Sequence, residues 1–589
     1  MKRVLVLFIL LQAEAAFAQI DIAGDWDHPG PVLMEDPVDR GTGPDVGDTL
    51  GSPLNEAGVL KAESYSPSWL NIPEHQCMPH PPSGAFWNPS TVSINKEYDP
   101  LTRRLIAYRI QGTFGLDRVI WMDGRPHPSA DEVHTFHGFS TGRWEGDLLA
   151  VETSHLKENW LRRNGVRTSD RTRMIEHFIR RGNLMTVVIV LEDPVYLSEP
   201  FVRTTEYVLN TQPAPALGRP FNNPEEGPIF FKCFPAEELG GDKHRVPHFL
   251  PGTTPLFPEF AKSRGVPEWI LKAGTATMYP EFGRRLRQPG NDAVRPPAAP
   301  LESQRPRNTG IRSMHVQGQV WVVMGGGANV TVQVGSEGVL VVDTGLEQSA
   351  DAVLAEIRRI AGDKPIRYVI NTSWKDDHTG GDVKISAART PQDQHAAVIA
   401  HENVPLRLGQ SNRPASSLTM DTFFGDSKVI HFNDEPIEII HVPSAQTDSD
   451  VMVFFRKSDV VSTGGVLLNT SYPVIDLENG GSLNGTIDAL NRVIDITIPK
   501  YRQQGGTMVI PGHGRIYDED DVVQYRDMVA IIRDRIEDSI KKGRTLDQVR
   551  AERPTLDYDG LYGATSGPWT TSMFIDAAFR SLSAAKTER

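Results

Sequence analysis

Residues 371–382 read NTSWKDDHTGGD, and within this short stretch Ser373, Lys375, Asp376, Asp377 and His378 crowd together. Carboxylate beside imidazole is a pairing of metal ligands and of acid–base groups. The Lys375 ammonium pairs readily with Asp377 or Asp376 and repels a divalent cation held nearby, yet it can equally hold a substrate oxyanion as a fixed charge. Ser373 has no neighbouring base, which argues against a serine nucleophile, although its hydroxyl can orient a water. A second concentration, His127, His134 and His137 near Asp123, Glu145 and Asp147, offers ligand types without a diagnostic spacing. It is read as a set of hydrogen-bonded loop residues.

The elements around the first stretch are legible. A β-type run at 367–370 delivers it, and Gly380-Gly381 follows, so it reads as a polar loop leaving the carboxyl end of a buried strand. Upstream, 320–324, 329–334 and 338–343 read as strands, and 348–361 as a helix whose stripe of Ala352, Leu354, Ile357 and Ile360 faces inward. A second set repeats the logic with strands at 437–442, 451–455, 460–462 and 507–510 and a helix at 483–494. Helices near 520–542 and 570–585 end the chain, and Val523, Tyr525, Met528 and Ile531 read as core cover.

The first half has a different texture. Residues 20–95 are rich in Pro, Gly and Asp, and are expected to wrap over a core built later. Short β-branched or aromatic runs at 104–110, 118–122, 148–152 and 184–191, separated by turn residues, suggest an antiparallel barrel or sandwich. Trp144-Glu-Gly-Asp147 reads as a hairpin turn beside a buried Trp. The Pro- and Arg-rich stretch before Gly310 is the best linker, giving a leader at 1–18, a β-rich domain at 19–302, the linker's end at 303–310 and a second domain at 311–589.

Flanking motifs tie the second half to a known family. VVDTG at 341–345, NT before and HTGG after the polar loop, PSAQTDSD at 443–450 and PGHG at 511–514 come in the order of the metallo-β-lactamase superfamily, which this half resembles. AHENV at 400–404 and YPVIDLENGGSLNGTIDAL at 472–490 resemble one branch of its extracytoplasmic hydrolases. MDGRPHP at 122–128 and STGRWEGDLLAVET at 140–153 resemble an uncharacterised extracytoplasmic bacterial β domain, which brings no activity with it. The resemblance implies an αββα sandwich with loops from both halves meeting along one edge.

It also implies a ligand inventory. In the family's HxHxDH pattern the first metal takes two His of the loop and a third from the PxAHTDGD turn, and Ser373, Lys375 and Gln446 stand there instead. The second metal takes Asp377, His378 and His513, all of which are kept, while Gly465 stands where many members have a bridging Asp. One Zn²⁺ at Asp377, His378 and His513 would leave an open position for hydrolysis of an ester, amide or lactam, with Asp377 and Lys375 as candidate catalytic groups. The alternative is an inactive pseudoenzyme that binds a small molecule or a partner.

Length and composition bound the rest. The 589 residues suffice for two sizeable cores, and the net charge of −14, dispersed along the chain, argues against nucleic acid as a partner. Lys2-Arg3, the apolar run 4–11 and Ala16-Phe17-Ala18 read as a secretory signal, so a periplasmic or secreted protein without a membrane span is expected. The two cysteines, Cys77 and Cys233, can form a disulfide in that compartment or remain as buried thiols.

Overall fold

The computed structural model describes residues 20–587 except 28–51, 65–75, 77, 86–91, 113–115, 131, 162–164, 212–245, 251–258, 260–261, 266–309, 389–395, 411–419 and 499–503. The leader, both cysteines and the linker lie outside the described residues.

Nine strands of the first half close into a barrel. Round the wall run Gly24–Asp27, Phe201–Leu209, Leu184–Glu192, Arg173–Arg181, Leu148–Ser154, Phe139–Glu145, Asp117–Trp121, Leu105–Gly112 and Val92–Tyr98. Neighbours are antiparallel except Asp117–Trp121 beside Phe139–Glu145. Alternation does the sorting: along Leu184–Glu192 every second residue is buried, so Met185, Val187, Ile189 and Leu191 fill the interior with Trp26, Tyr108, Phe178 and Tyr207. Arg118 and Glu176 also point inward, forming a buried ion pair that Thr153 joins by accepting from Arg118 Nη2 at 3.1 Å.

Two expectations change here. The stretch 20–95 is not merely a wrap, since Gly24–Asp27 and Val92–Tyr98 pair with each other and with both neighbours to close the barrel. Hydrogen bonding by the wall recruits even the Gly- and Asp-rich GDWD, whose Trp26 is fully buried. Trp144 lies in the hairpin expected, with Gly146 in the left-handed region (φ 63°), but is only partly buried against the core.

The second half is a sandwich of two sheets. The first has seven strands: Arg312–Gln317, Val320–Met324, Val330–Val334, Val339–Val342, Ile366–Ile370, Ala397–His401 and Met420–Phe423. The second has five: Ser427–Phe432, Glu435–His441, Val451–Phe455, Val460–Leu468 and Met508–His513. Leu340, Val342, Ile370 and Ile399 meet Ile437, Ile439, Val453 and Ile510 between the sheets. Val341, Val339 and Val369 face the other way, onto the helix Ala350–Ala361. The outer face of the five-stranded sheet is covered by Leu483–Thr497, Glu519–Lys541 and Thr571–Thr587. Burial on both faces explains why the central strands are continuous apolar runs.

The helix stripe differs from expectation. The helix starts at Ala350 after a tight turn at Glu347–Ser349 and buries Ala350, Val353, Ile357 and Ala361, leaving Ala352 exposed and Leu354 and Ile360 at the margin. Spacings of three and four residues keep one face toward the sheet, and the chosen Ala352 falls off it. Among the described residues, no helix is long and apolar enough to cross a membrane.

Candidate metal centre

The two strands that matter most run parallel, so their carboxyl ends meet. Val339–Val342 ends at Asp343, whose φ of 59° turns the chain sharply, and Ile366–Ile370 ends at Asn371. From there the loop 371–375 leads into a single helical turn, Asp376–Thr379. Its carbonyls are tied down: Thr344 N donates to His378 O at 2.7 Å, and Ala328 N donates to Asp377 O at 3.1 Å. From the other sheet, Met508–His513 ends at the third residue, with Asn329 N donating to Gly512 O at 2.7 Å and Asn329 Nδ2 to Pro511 O at 2.8 Å.

These anchors bring Asp377, His378 and His513 together, with one ligand-type atom of each lying within 4.8 Å of the others. His513 Nε2 donates to Asp377 Oδ2 at 2.8 Å, and His378 Nε2 stands 3.8 Å from the same oxygen. The other ring nitrogen of His378 is engaged from behind. Its Nδ1 donates to Asp343 Oδ2 at 2.7 Å, and Asp343 in turn accepts from Thr372 N at 2.8 Å and Thr372 Oγ1 at 2.6 Å. A carboxylate on Nδ1 fixes the tautomer and aims Nε2 at the cluster, the arrangement that metal-ligating histidines ordinarily have.

Charge follows from the same contacts. Burial alone would raise the Asp377 carboxyl, but the hydrogen bond from His513 and the charge on His378 outweigh it and hold Asp377 well below the usual carboxylate range. Burial alone would lower His378, but Asp343, then Asp377 and Asp450, push it up to about 9. The cluster therefore favours a cation at its centre.

Lys375 is placed differently from both pairings expected. Its Nζ reaches across to Asp476 Oδ2 at 2.5 Å rather than to Asp377 or Asp376. The backbone explains this: Lys375 caps the helical turn in an extended conformation (φ −64°, ψ 150°), which points its side chain away from the residues that follow. Asp377 is left to His513. Ser373 is fully buried, and its Oγ finds no hydrogen-bond partner among the described residues.

The barrel histidines behave as loop residues. His127 bonds Ser154 Oγ at 2.7 Å and Thr141 Oγ1 at 2.8 Å, and His134 Nδ1 bonds Leu156 O at 2.9 Å. Among the described residues, Asp377, His378 and His513 form the one cluster of ligand types with metal-like spacing.

Sequence reasoning passed over Asp343 as a site residue, although VVDTG marked its position. The signal was available, since an Asp ending a buried strand beside the loop-bearing strand must lie at the same sheet edge. The partnership with Asp476 had no local signal. Nor did the stacked pair His401 and His441, whose rings lie 3.7 Å apart and 10° from parallel.

The profile of the Metallo-beta-lactamase superfamily matches residues 323–520. Among solved structures, a double mutant of the sec-alkyl sulfatase PisA1 is similar at 16% identity and a TM-score of 0.37, covering 46% of this chain and 50% of that one. A metallo-beta-lactamase from Pontibacter korlensis is similar at 17% identity and a TM-score of 0.31, covering 37% and 98%. The DIM-1 metallo-beta-lactamase is similar at 17% identity and a TM-score of 0.31, covering 38% and 97%. The chain thus matches half the length of the alkylsulfatase. No curated protein matches the chain. Sheet order, edge site and profile agree, and the second half of the chain is a metallo-β-lactamase superfamily domain beside a separate β-barrel domain.

Proposed function

We propose that this protein is an exported hydrolase that works with a single divalent metal, held by Asp377, His378 and His513, on an ester, amide or lactam. The observation that carries the reading is the aimed cluster itself: three ligand atoms within 4.8 Å, with His378 Nδ1 already engaged by Asp343. The residue types fit zinc, since two imidazoles and a carboxylate leave a fourth position open. Bound there, the ion would act as a Lewis acid and lower the pKa of water near neutrality.

The chain's own groups do the rest. Asp343 holds the Nδ1–H of His378 and keeps Nε2 directed at the cluster, where an ion would take the place of its proton, and so acts as a positioning residue. Asp377 stays ionised, and its carboxylate can both ligate and accept a proton from an attacking water. Lys375 is held by Asp476 at 2.5 Å and so does not quench Asp377. Ser373, Lys375 and Gln446 cannot supply a histidine-type site for a second ion. The Lys2-Arg3 start, apolar run and Ala16-Phe17-Ala18 support export.

One observation favours a second reading. The His513–Asp377 and His378–Asp343 hydrogen bonds satisfy the cluster by itself, as a metal-free binding module would need. Zinc content separates the two. Purified mature protein, chelated and reloaded, is expected to hold about one ion per chain, and the His378→Ala/His513→Ala variant none. A folded parent that takes up no zinc would sink the hydrolase reading.

A further inference from the structure

The cluster is assembled from two sheets, so its spacing depends on what ties their edges together. Asp377 and His378 follow Ile366–Ile370 of the seven-stranded sheet, and His513 ends Met508–His513 of the five-stranded one. Val330–Val334 runs antiparallel to Val339–Val342, so it begins at the edge where the loop of Asp377 lies. The two residues just before it make the tie. Ala328 N donates to Asp377 O at 3.1 Å, and Asn329 N donates to Gly512 O at 2.7 Å. One peptide step thus holds the backbone of one cluster residue and of the residue before another.

The Asn329 side chain extends that grip. Its Nδ2 donates to Pro511 O at 2.8 Å and to Gly514 O at 3.0 Å, spending both of its hydrogens on either side of His513. Asn469, which directly follows Val460–Leu468, donates from N to His513 O at 3.3 Å and from Nδ2 to Arg515 O at 2.7 Å. Five consecutive carbonyls, 511 to 515, therefore accept from two buried asparagines. A Cβ on Gly514, whose φ is 99°, would collide with Asn469 Oδ1, so that amide packs directly against the turn. Buried carbonyls are held by whatever donors reach them, and these two residues decide where the turn rests. Asparagine suits the task because it carries two donor hydrogens on one short, neutral arm, whereas Asp would turn a carboxylate toward carbonyls and Ser has one hydrogen to give.

We propose that Asn329 is the positioning residue that sets the distance of His513 from Asp377, with Asn469 holding the rest of the turn. The 2.8 Å bond from His513 Nε2 to Asp377 Oδ2, between residues of different sheets, depends on that rest position. The meaning for catalysis rests on the single-metal reading above, but the positioning itself needs no ion. A ligand turn that drifts by a fraction of an ångström weakens a metal site without losing a ligand.

The test compares full-length protein carrying Asn329→Ala, Asn469→Ala or Val332→Ala. Val332 is fully buried in the strand that Asn329 precedes but packs with Val353 and Ile357 of the helix, so its truncation lowers stability without touching the turn. In chelated protein the ring nitrogens of His513, assigned by their loss in His513→Ala, are followed by long-range proton–nitrogen NMR. Asn329→Ala is expected to move them away from the held form protonated on Nε2, and Asn469→Ala to do so less. Zinc affinity should fall about tenfold in the first and about threefold in the second. Val332→Ala should lower the unfolding temperature and leave both readings unchanged. Unmoved His513 signals in both asparagine variants, or an equal shift in Val332→Ala, would overturn the proposal. Should Asn329→Ala not fold, Asn469→Ala decides by the same two readings. A parent that takes up no zinc, but whose His513 signals move in the asparagine variants, loses the hydrolase reading and keeps the positioning. One that takes up zinc, with signals and affinity unmoved in both variants, does the reverse.

Discussion

His378 can ligate only through Nε2, because Asp343 occupies Nδ1. Asp343→Asn tests how far that matters. Asn tolerates the left-handed backbone at this position as well as Asp does, so the turn should survive. The amide would still accept from Thr372 N, but its NH2 would then face His378 Nδ1, favouring the tautomer with the proton on Nε2. Zinc affinity should fall about 10- to 100-fold with little loss of stability, measured by competition with a chelating dye. Asp377, His378 and His513 stand in sequence motifs, which made their convergence readable, whereas Asp343, also in a motif, was passed over. The Lys375–Asp476 pair was not readable, because which of several carboxylates a lysine reaches depends on where a distant loop returns.

The stacked His401 and His441 make a second prediction at this scale. Burial, then the charge of His441, push His401 down to about 4, and Asp448 opposes this only in part. His441 Nε2 donates to Asp448 O at 2.9 Å, so the pair also braces the turn that carries Gln446. A histidine whose folded pKa is depressed contributes nothing above the unfolded value of about 6.5. As pH falls from there toward 4, the unfolded chain takes the proton first and stability is lost. Between pH 7 and 5 the parent should lose roughly 1–2 kcal/mol more than His401→Phe, which keeps a ring against Phe423 and His441 but does not titrate. Urea unfolding at the two pH values measures it; equal losses would refute the assignment.

At the scale of elements, the glycines packed beside the Met508–His513 strand divide by what they touch. Gly512 faces the Gly464 carbonyl, which is backbone and cannot rotate away, whereas Gly465 faces only the end of the Gln446 side chain. Gly512→Ala should therefore cost about 1–3 kcal/mol and displace His513, lowering zinc affinity with it. Gly465→Ala should cost clearly less and spare the zinc. Denaturant midpoints and zinc titration of the two variants check the contrast. The central strands were legible because burial on both faces leaves an unmistakable apolar run. Arg312–Gln317, Met420–Phe423 and Ser427–Phe432 were not, since strands at sheet edges carry polar residues and take their form from a single neighbour. Gly24–Asp27 was missed for a related reason: four residues, two of them Asp, become a strand only because the barrel wall needs closing.

At the scale of the molecule, the two halves meet through polar contacts that no local pattern announces. Tyr196 Oη donates to His315 O at 3.1 Å, Gly318 N donates to Asp170 Oδ2 at 2.6 Å, and Lys157 pairs with Asp459 at 2.8 Å. Gly318 and Asp459 precede Val320–Met324 and Val460–Leu468, strands that run toward the metal-site edge, so these contacts lie at the far end from the cluster. Ser64 and Gln76 reach instead to Arg515 and Asp518, just beyond His513. Behind the far contacts sits a buried ion pair. Lys61, 4% exposed, meets Glu158, 1% exposed, at 3.0 Å, and Glu158 Oε2 also accepts from Tyr196 Oη. Burial lowers the Lys61 pKa, and Glu158 opposes that. Glu158→Ala would leave the buried cations Lys61 and Arg167 without their carboxylate, at a cost of about 3–5 kcal/mol, while Tyr196 keeps His315 O as its acceptor. Lys61→Met/Glu158→Leu removes both charges at similar volume but should recover only part of it, because Arg167, 3.3 Å from Glu158 Oε1, still loses its carboxylate. Of the contacts around Glu158 only that of Tyr196 with His315 O joins the two halves, so the loss should fall on the barrel, appearing in calorimetry as a barrel transition separating from that of the sandwich, with zinc content unchanged. A uniform drop of one transition would instead mean that the domains unfold as a single unit.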